Sequence, residues 1–128
     1  MKRRFISVLA LGAVLLALAA GTALAAQIVG TGGSDALRGT PNADSIFGRG
    51  GSDLIRGAGG ADSLFGGAGG DRIFGGSGSD LVNGASGNDT IHVDDDDEPD
   101  NVRCGGGNDT VFLGGNGDEA DDDCENVF

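Results

Sequence analysis

The sequence predicts an all-β fold, a parallel β-solenoid with two short sheets packed face to face. Three observations predict it: an Asp every nine residues, a single aliphatic residue in step with each Asp, and an unusual Gly content. The 128 residues include 27 Gly, about a fifth of the chain against a usual ~7 %. Acids outnumber bases 20 to 8, giving a formal net charge of −12, and there is no Trp or Tyr. One domain fits this length. The charge balance argues against a nucleic-acid partner, because phosphate neutralisation needs clustered Lys and Arg. Composition leaves disorder or a repeat fold, and periodicity chooses the repeat.

The first segment reads as an address rather than a structure. Lys2, Arg3 and Arg4 form a positive start, an apolar run follows from Phe5 to Ala20, and Ala23-Leu24-Ala25 supplies a small-residue cleavage site. Residues 1–25 are expected to be a signal peptide, cut after Ala25 or Ala26, of a protein secreted by bacterial export. A retained membrane anchor is the alternative, but a span needs ~20 apolar residues, so no stable membrane insertion is expected once the signal is cut. Residues 26–128 then carry 20 acids against Arg38, Arg49, Arg56, Arg72 and Arg103, a net charge of −15. Leu, Ile, Val and Phe make up only 21 of those 103 residues, at the edge of the range for disorder. Such a chain needs something besides a hydrophobic core to fold.

The repeats occupy residues 26–92. Asp35, Asp44, Asp53, Asp62, Asp71, Asp80 and Asp89 recur every nine residues without a slip. Two places after each comes an aliphatic: Leu37, Ile46, Ile55, Leu64, Ile73, Val82 and Ile91. Five places before each Asp stands Gly: Gly30, Gly39, Gly48, Gly57, Gly66, Gly75 and Gly84. Two places before it comes Gly33, Asn42, Gly51, Gly60, Gly69, Gly78 or Gly87. Three columns held in phase over seven units are a repeat architecture. The Gly residues, or Asn42, permit positive φ, so each unit opens with a tight turn. A three-residue strand follows, its middle aliphatic facing in and its flanks facing out. One such unit cannot bury its aliphatic alone. Two units make one 18-residue coil, and coils rise by ~4.8 Å, the spacing of paired strands.

Units such as Gly66-Gly67-Ala68-Gly69-Gly70-Asp71-Arg72-Ile73-Phe74 and Gly75-Gly76-Ser77-Gly78-Ser79-Asp80-Leu81-Val82-Asn83 resemble the calcium-binding nonapeptide of the repeats-in-toxin (haemolysin-type) family. The resemblance covers residues 30–92 well and 100–118 loosely. It implies a right-handed parallel β-roll with calcium ions in the turns. The ligands it implies are the seven Asp carboxylates and the turn backbone of Gly30, Gly33, Gly48, Gly51, Gly57, Gly60, Gly66, Gly69, Gly75 and Gly78. Carried over, the sites pair Asp35/Asp53, Asp53/Asp71 and Asp71/Asp89 on one edge, and Asp44/Asp62 and Asp62/Asp80 on the other, about five ions in all. Pro41 and Asn42 make the second unit the least regular.

The residue chemistry points the same way. Stacking sets Asp carboxylates ~5 Å apart, where each pair repels by roughly 0.8 kcal/mol even in water. A hard dication with six to eight oxygen ligands removes that repulsion. Zinc or copper would want His or Cys, and the repeats hold only His92. A metal-independent β-solenoid, with Asp merely capping turns, is the alternative. One inward aliphatic per unit contributes at most ~1.5–3 kcal/mol, while ordering each residue's backbone costs about 1–2 kcal/mol. Folding is therefore expected to be coupled to calcium uptake.

Beyond His92, residues 93–99 read as an acidic loop, solvated or weakly binding calcium. The spacing then resumes, shifted by two, with Asp100, Asp109 and Asp118 as weaker candidate ligands and Val102 and Val111 facing inward. Cys104 and Cys124 are the only cysteines, and an even count in an exported chain reads as a disulfide. Their spacing places them on one edge of adjacent coils, clasping a cap over residues 100–128. On the outer faces, Phe47 and Phe65 fall one coil apart, while Arg38, Arg56, Phe74 and His92 line the other sheet. The rings shield the sheet or dock a partner. No catalytic constellation stands out, so the expected role is a structural or interaction module, not an enzyme. The rival reading is an extracellular adhesin or matrix component that self-associates in calcium.

Overall fold

The computed structural model describes residues 5–7, 14–16, 24–93, 96–115 and 117–128. Every regular element among them is a β-strand. In chain order these are β1 (Phe5–Ser7), β2 (Val14–Leu16), β3 (Gln27–Val29), β4 (Ala36–Arg38), β5 (Ser45–Phe47), β6 (Leu54–Ala58) and β7 (Ser63–Ala68). They continue with β8 (Arg72–Gly76), β9 (Leu81–Ser86), β10 (Thr90–Val93), β11 (Asn101–Arg103), β12 (Thr110–Leu113), β13 (Glu119–Ala120) and β14 (Asn126–Val127). Odd strands stack in one sheet in the order β1-β3-β5-β7-β9-β11-β13, and even strands in the other, from β2 to β14. Every pairing is parallel. This is the two-sheet parallel solenoid expected from the columns.

Register follows the repeat. Ile46 pairs with Leu64 and Ile55 with Ile73, each partner 18 residues on. Where the spacing shifts, Val82 pairs with Val102 and Ile91 with Val111, so that coil is longer by two residues and both sheets stay in line. β10 runs one residue past His92 to Val93, which is fully buried. The segment read as an acidic loop thus begins on a core residue. Part of the rest is tied down: Asp96 accepts the Gly78 N–H through Oδ2 at 2.6 Å.

All seven aliphatics of the column are buried, joined by Val102 and Val111. Ile28, nine residues before Leu37, extends the same column and is equally buried. Flanking residues face out, as the alternation of buried and partly exposed positions in β5 and β6 shows. A strand's period of two makes this unavoidable once its middle residue is fixed inward. Cys104 and Cys124 form a disulfide with Cα atoms 5.1 Å apart, and Cys124 packs on the end of the core.

β1 and β2 come from the segment read as an export signal, and they pair with β3 and β4. An open solenoid end presents unpaired backbone N–H and C=O groups, which an extended segment can satisfy through backbone alone. Among the described residues, no helix is long and apolar enough to cross a membrane.

Candidate metal centre

Each Asp of the column ends a turn and stands just before a strand, so the coils stack the carboxylates in two rows. Asp35, Asp53, Asp71, Asp89 and Asp109 precede even strands and form one row. Asp44, Asp62, Asp80, Asp100 and Asp118 precede odd strands and form the other. Of these ten, all but Asp118 are buried. One oxygen of each carboxylate serves the ladder: Oδ1 of Asp53 accepts the Asp35 N–H at 2.8 Å, and Asp62, Asp71, Asp80 and Asp89 accept from the Asp one coil earlier in the same way. Across the longer coil the pattern persists, with Asp100 accepting from Asp80 and Asp109 from Asp89. The Asp column is thus part of the backbone hydrogen-bond network, and that role alone would suit Asn as well.

The second oxygen is what a turn cap leaves unexplained. Oδ2 of Asp53, Asp62, Asp71, Asp80, Asp89 and Asp109 is buried and accepts no hydrogen bond. A buried, unsatisfied carboxylate oxygen is costly unless something positive meets it. The leading Gly shows where. A Cβ built on Gly66 would stand 2.5 Å from Asp71 Oδ2 and 2.8 Å from the carbonyl oxygen of Gly84 on the next coil. Asp53 with Gly66 converges in the same way at Gly48, and Asp62 with Gly75 at Gly57. Two oxygen acceptors thus turn toward one small space, a cradle beside each of these glycines, and the same kind of pair converges at Gly30 and Gly39. At Gly48, Gly57 and Gly66 any side chain would run into those oxygens, whereas Cys104 takes the same place in the Asp109 unit.

Backbone conformation separates two kinds of turn. In the units ending at Asp53, Asp62, Asp71, Asp80, Asp89 and Asp109, the residues four and two before the Asp have positive φ: Arg49 and Gly51, Ala58 and Gly60, and so on to Gly105 and Gly107. Arg49, Ala58 and Ala85 adopt it without being Gly, at φ 78, 83 and 73°, which L-residues do only at a cost. The units ending at Asp35 and Asp44 lack positive φ, Asn42 included, against the expectation from sequence. There the carboxylates are met from within the turn. Thr31 donates its N–H to Asp35 Oδ2 at 2.5 Å and its hydroxyl at 2.9 Å, and Thr40 treats Asp44 alike. This capping was not read from the sequence, although Thr after the leading Gly occurs only in those two units. At the other end, Asp118 Oδ2 accepts the Gly114 N–H at 2.6 Å.

The metal-free electrostatics are strained in the same places. Burial pushes Asp53 up to about 6, Asp62 and Asp89 to about 7, and Asp80 to about 8, with repulsion from stacked Asp neighbours adding to it. The Oδ1 hydrogen bonds pull the other way without cancelling it. Burial raises Asp71 and Asp109 likewise. An oxygen-only donor set fits a hard dication such as calcium. The one cluster among the described residues that brings cysteines together with a carboxylate, Cys104, Cys124 and Asp123, has its sulfurs joined to each other and so lacks a thiolate.

Comparison with known proteins bears on this geometry. A family model described as the RTX calcium-binding nonapeptide repeat, four copies, matches residues 29–64 and 57–91. No curated protein and no solved structure matches the chain. The matched residues are those whose Asp and Gly columns build the two rows of turns, and the solenoid they form is a calcium-binding structural module. The repeat region of this chain, residues 29–91, belongs to the RTX calcium-binding nonapeptide repeat family.

Proposed function

We propose that the protein is a secreted β-roll that folds as it takes up calcium and then serves as a rigid extracellular module. The observation that carries this reading is the row of buried, unpartnered Asp Oδ2 atoms, of which those of Asp53, Asp62, Asp71 and Asp89 converge with a carbonyl oxygen of the neighbouring coil. Asp53, Asp62, Asp71, Asp80, Asp89 and Asp109 would hold the ions, assisted by turn carbonyls such as those of Gly66, Gly75 and Gly84. When bound, calcium neutralises these carboxylates and pins adjacent coils together. Without it, burying them opposes the modest gain from one aliphatic per strand, so metal uptake and folding are one event. Calorimetric titration of the purified protein with calcium, paired with circular dichroism, tests this. Uptake of about five ions with a coil-to-β transition is expected. Undiminished β structure in chelator would leave a metal-independent solenoid.

Export rests on the basic start, apolar run and Ala23-Leu24-Ala25 of the first 25 residues. N-terminal sequencing of the protein recovered from culture medium should begin at Ala26 or Gln27. Full-length protein retained in the membrane would refute it.

One observation favours a second reading, calcium-dependent self-association. The outward strand positions of β4, β6, β8, β10, β12 and β14 carry Arg38, Arg56 and Arg72 but no Asp or Glu. Arg38 and Arg56 lie directly opposite each other, an arrangement of like charges that is destabilising unless anions approach. Stacked rings continue the row, Phe74 on His92 at 4.9 Å and His92 on Phe112 at 4.5 Å. The chain's acidic end at Asp121–Asp123 is a complementary surface for that face on a second copy. Sedimentation velocity with calcium and with chelator distinguishes a monomer from an assembly.

A further inference from the structure

We infer that Thr31 and Thr40 close the first two turns against calcium, so that the ion array begins at Asp53. The inference rests on the calcium reading above and concerns which turns take part in it. Asp44 takes the Ala26 N–H on Oδ1 just as the later Asp residues take a backbone N–H from the coil before, so the difference lies at Oδ2. In the Asp35 and Asp44 turns that oxygen already receives two donors, the Thr N–H and the Thr hydroxyl. The same hydroxyls accept the N–H of Gly33 and of Asn42, each at 3.1 Å, knitting the turn from inside. Donors repel a cation. For calcium to enter, the Thr N–H must swing away from the carboxylate.

In the Asp53, Asp62, Asp71, Asp80, Asp89 and Asp109 turns the residue at the Thr position is left-handed: Arg49, Ala58, Gly67, Gly76, Ala85 or Gly105. A β-branched residue reaches that conformation least easily. Thr therefore does two things at once: it supplies donors that stand in for the metal, and it resists the backbone change that would make room for one. The Asp118 turn, with the Gly114 N–H on Oδ2, is closed at the opposite end of the roll. Calcium-loaded coils are thus bounded on both sides by turns that satisfy their own carboxylates. These ends need no metal to be complete.

Native mass spectrometry of the calcium-loaded protein counts ions per folded chain. Asp35→Asn and Asp44→Asn should leave the count at the parent value, whereas Asp62→Asn and Asp71→Asn should each lower it by about one ion. Thr40→Gly, which installs the residue found in the Asp71 and Asp80 turns, should add about one ion, and the Thr31→Gly/Thr40→Gly pair about two. Loss of an ion in Asp44→Asn would overturn the inference, as would a Thr-to-Gly pair with an unchanged count. A parent chain that takes up no calcium would instead overturn the underlying metal reading, so the two failures are distinguishable.

Discussion

Asp62→Asn separates a metal ligand from a turn cap, because the two roles predict opposite signs in the metal-free chain. Asn keeps an oxygen where Oδ1 accepts the Asp44 N–H at 2.7 Å. It places an NH2 donor where the bare Oδ2 faces the carbonyl of Gly75. Burial has moved this carboxyl from 3.8 to about 7, and at ~1.4 kcal/mol per pKa unit its ionisation near neutrality costs up to ~4 kcal/mol. Local relaxation and entering water reduce that, leaving a gain of ~1–3 kcal/mol for the neutral Asn. In calcium the same change removes a charged ligand and the stabilisation that the ion supplied. The assay is circular dichroism of parent and variant in chelator, titrated with an osmolyte such as TMAO that favours the compact state, and thermal melting of both in calcium. The variant should fold at lower osmolyte concentration than the parent, yet melt earlier in calcium. If Asp62→Asn needs more osmolyte than the parent, the carboxylate is a structural cap and the metal argument fails.

The remaining predictions concern pH, the cradle and the clasp. Asp53, Asp62, Asp80 and Asp89 bind protons more tightly folded than unfolded, so their contribution to the metal-free roll is full below about pH 4, falls as pH rises from there, and is lost by pH 6 to 8. Calcium displaces those protons, so its affinity should rise over the same range; β structure in chelator that grows with pH would contradict this. Gly66→Ala removes no carboxylate but puts a methyl 2.5 Å from Asp71 Oδ2 and 2.8 Å from the Gly84 oxygen, which must shift to admit it. It should cost about one ion by calorimetric stoichiometry, and an unchanged count would refute the cradle. Breaking the Cys104–Cys124 bridge, which spans a sequence separation of 20, should destabilise the calcium-loaded chain by ~3 kcal/mol, read as an earlier thermal midpoint.

The solenoid was legible because its determinants are local and periodic. The Asp and aliphatic columns fix strand register, and a period of two then fixes which residues face inward. Ile28 and Val93 escaped because each lies just outside a recognisable unit: the first precedes the leading Gly30, the second stands where a Gly would be expected. The candidate ligands were legible as a column, but their inequality was not. Asp44 and Asp62 occupy the same register, and only the donor set around Oδ2 distinguishes them. That set depends on the φ of a residue four positions earlier, which one Thr or one Ala decides. The pairing of β1 and β2 onto the first coil was equally invisible, since a backbone ladder leaves no side-chain signature.

Charge alone would not account for the dependence on a divalent ion that the proposed function requires. A net charge of −12 opposes compaction, and monovalent salt screens charges on a scale of ~8 Å at physiological ionic strength. The carboxylates that matter stack at the ~4.8 Å strand spacing, inside that screening length, and are at most 3 % exposed from Asp53 to Asp109. Mobile salt therefore relieves repulsion among surface acids such as Asp121, Asp122 and Asp123 while leaving the inner rows strained. On the proposed reading, an ion seated between the coils would reach Oδ2 and replace the water that burial removes with oxygen ligands already in place. The glycine cradle supplies the space and the left-handed turns hold the space open. On the proposed reading, the atoms that let this sequence fold would be the same atoms that recognise calcium.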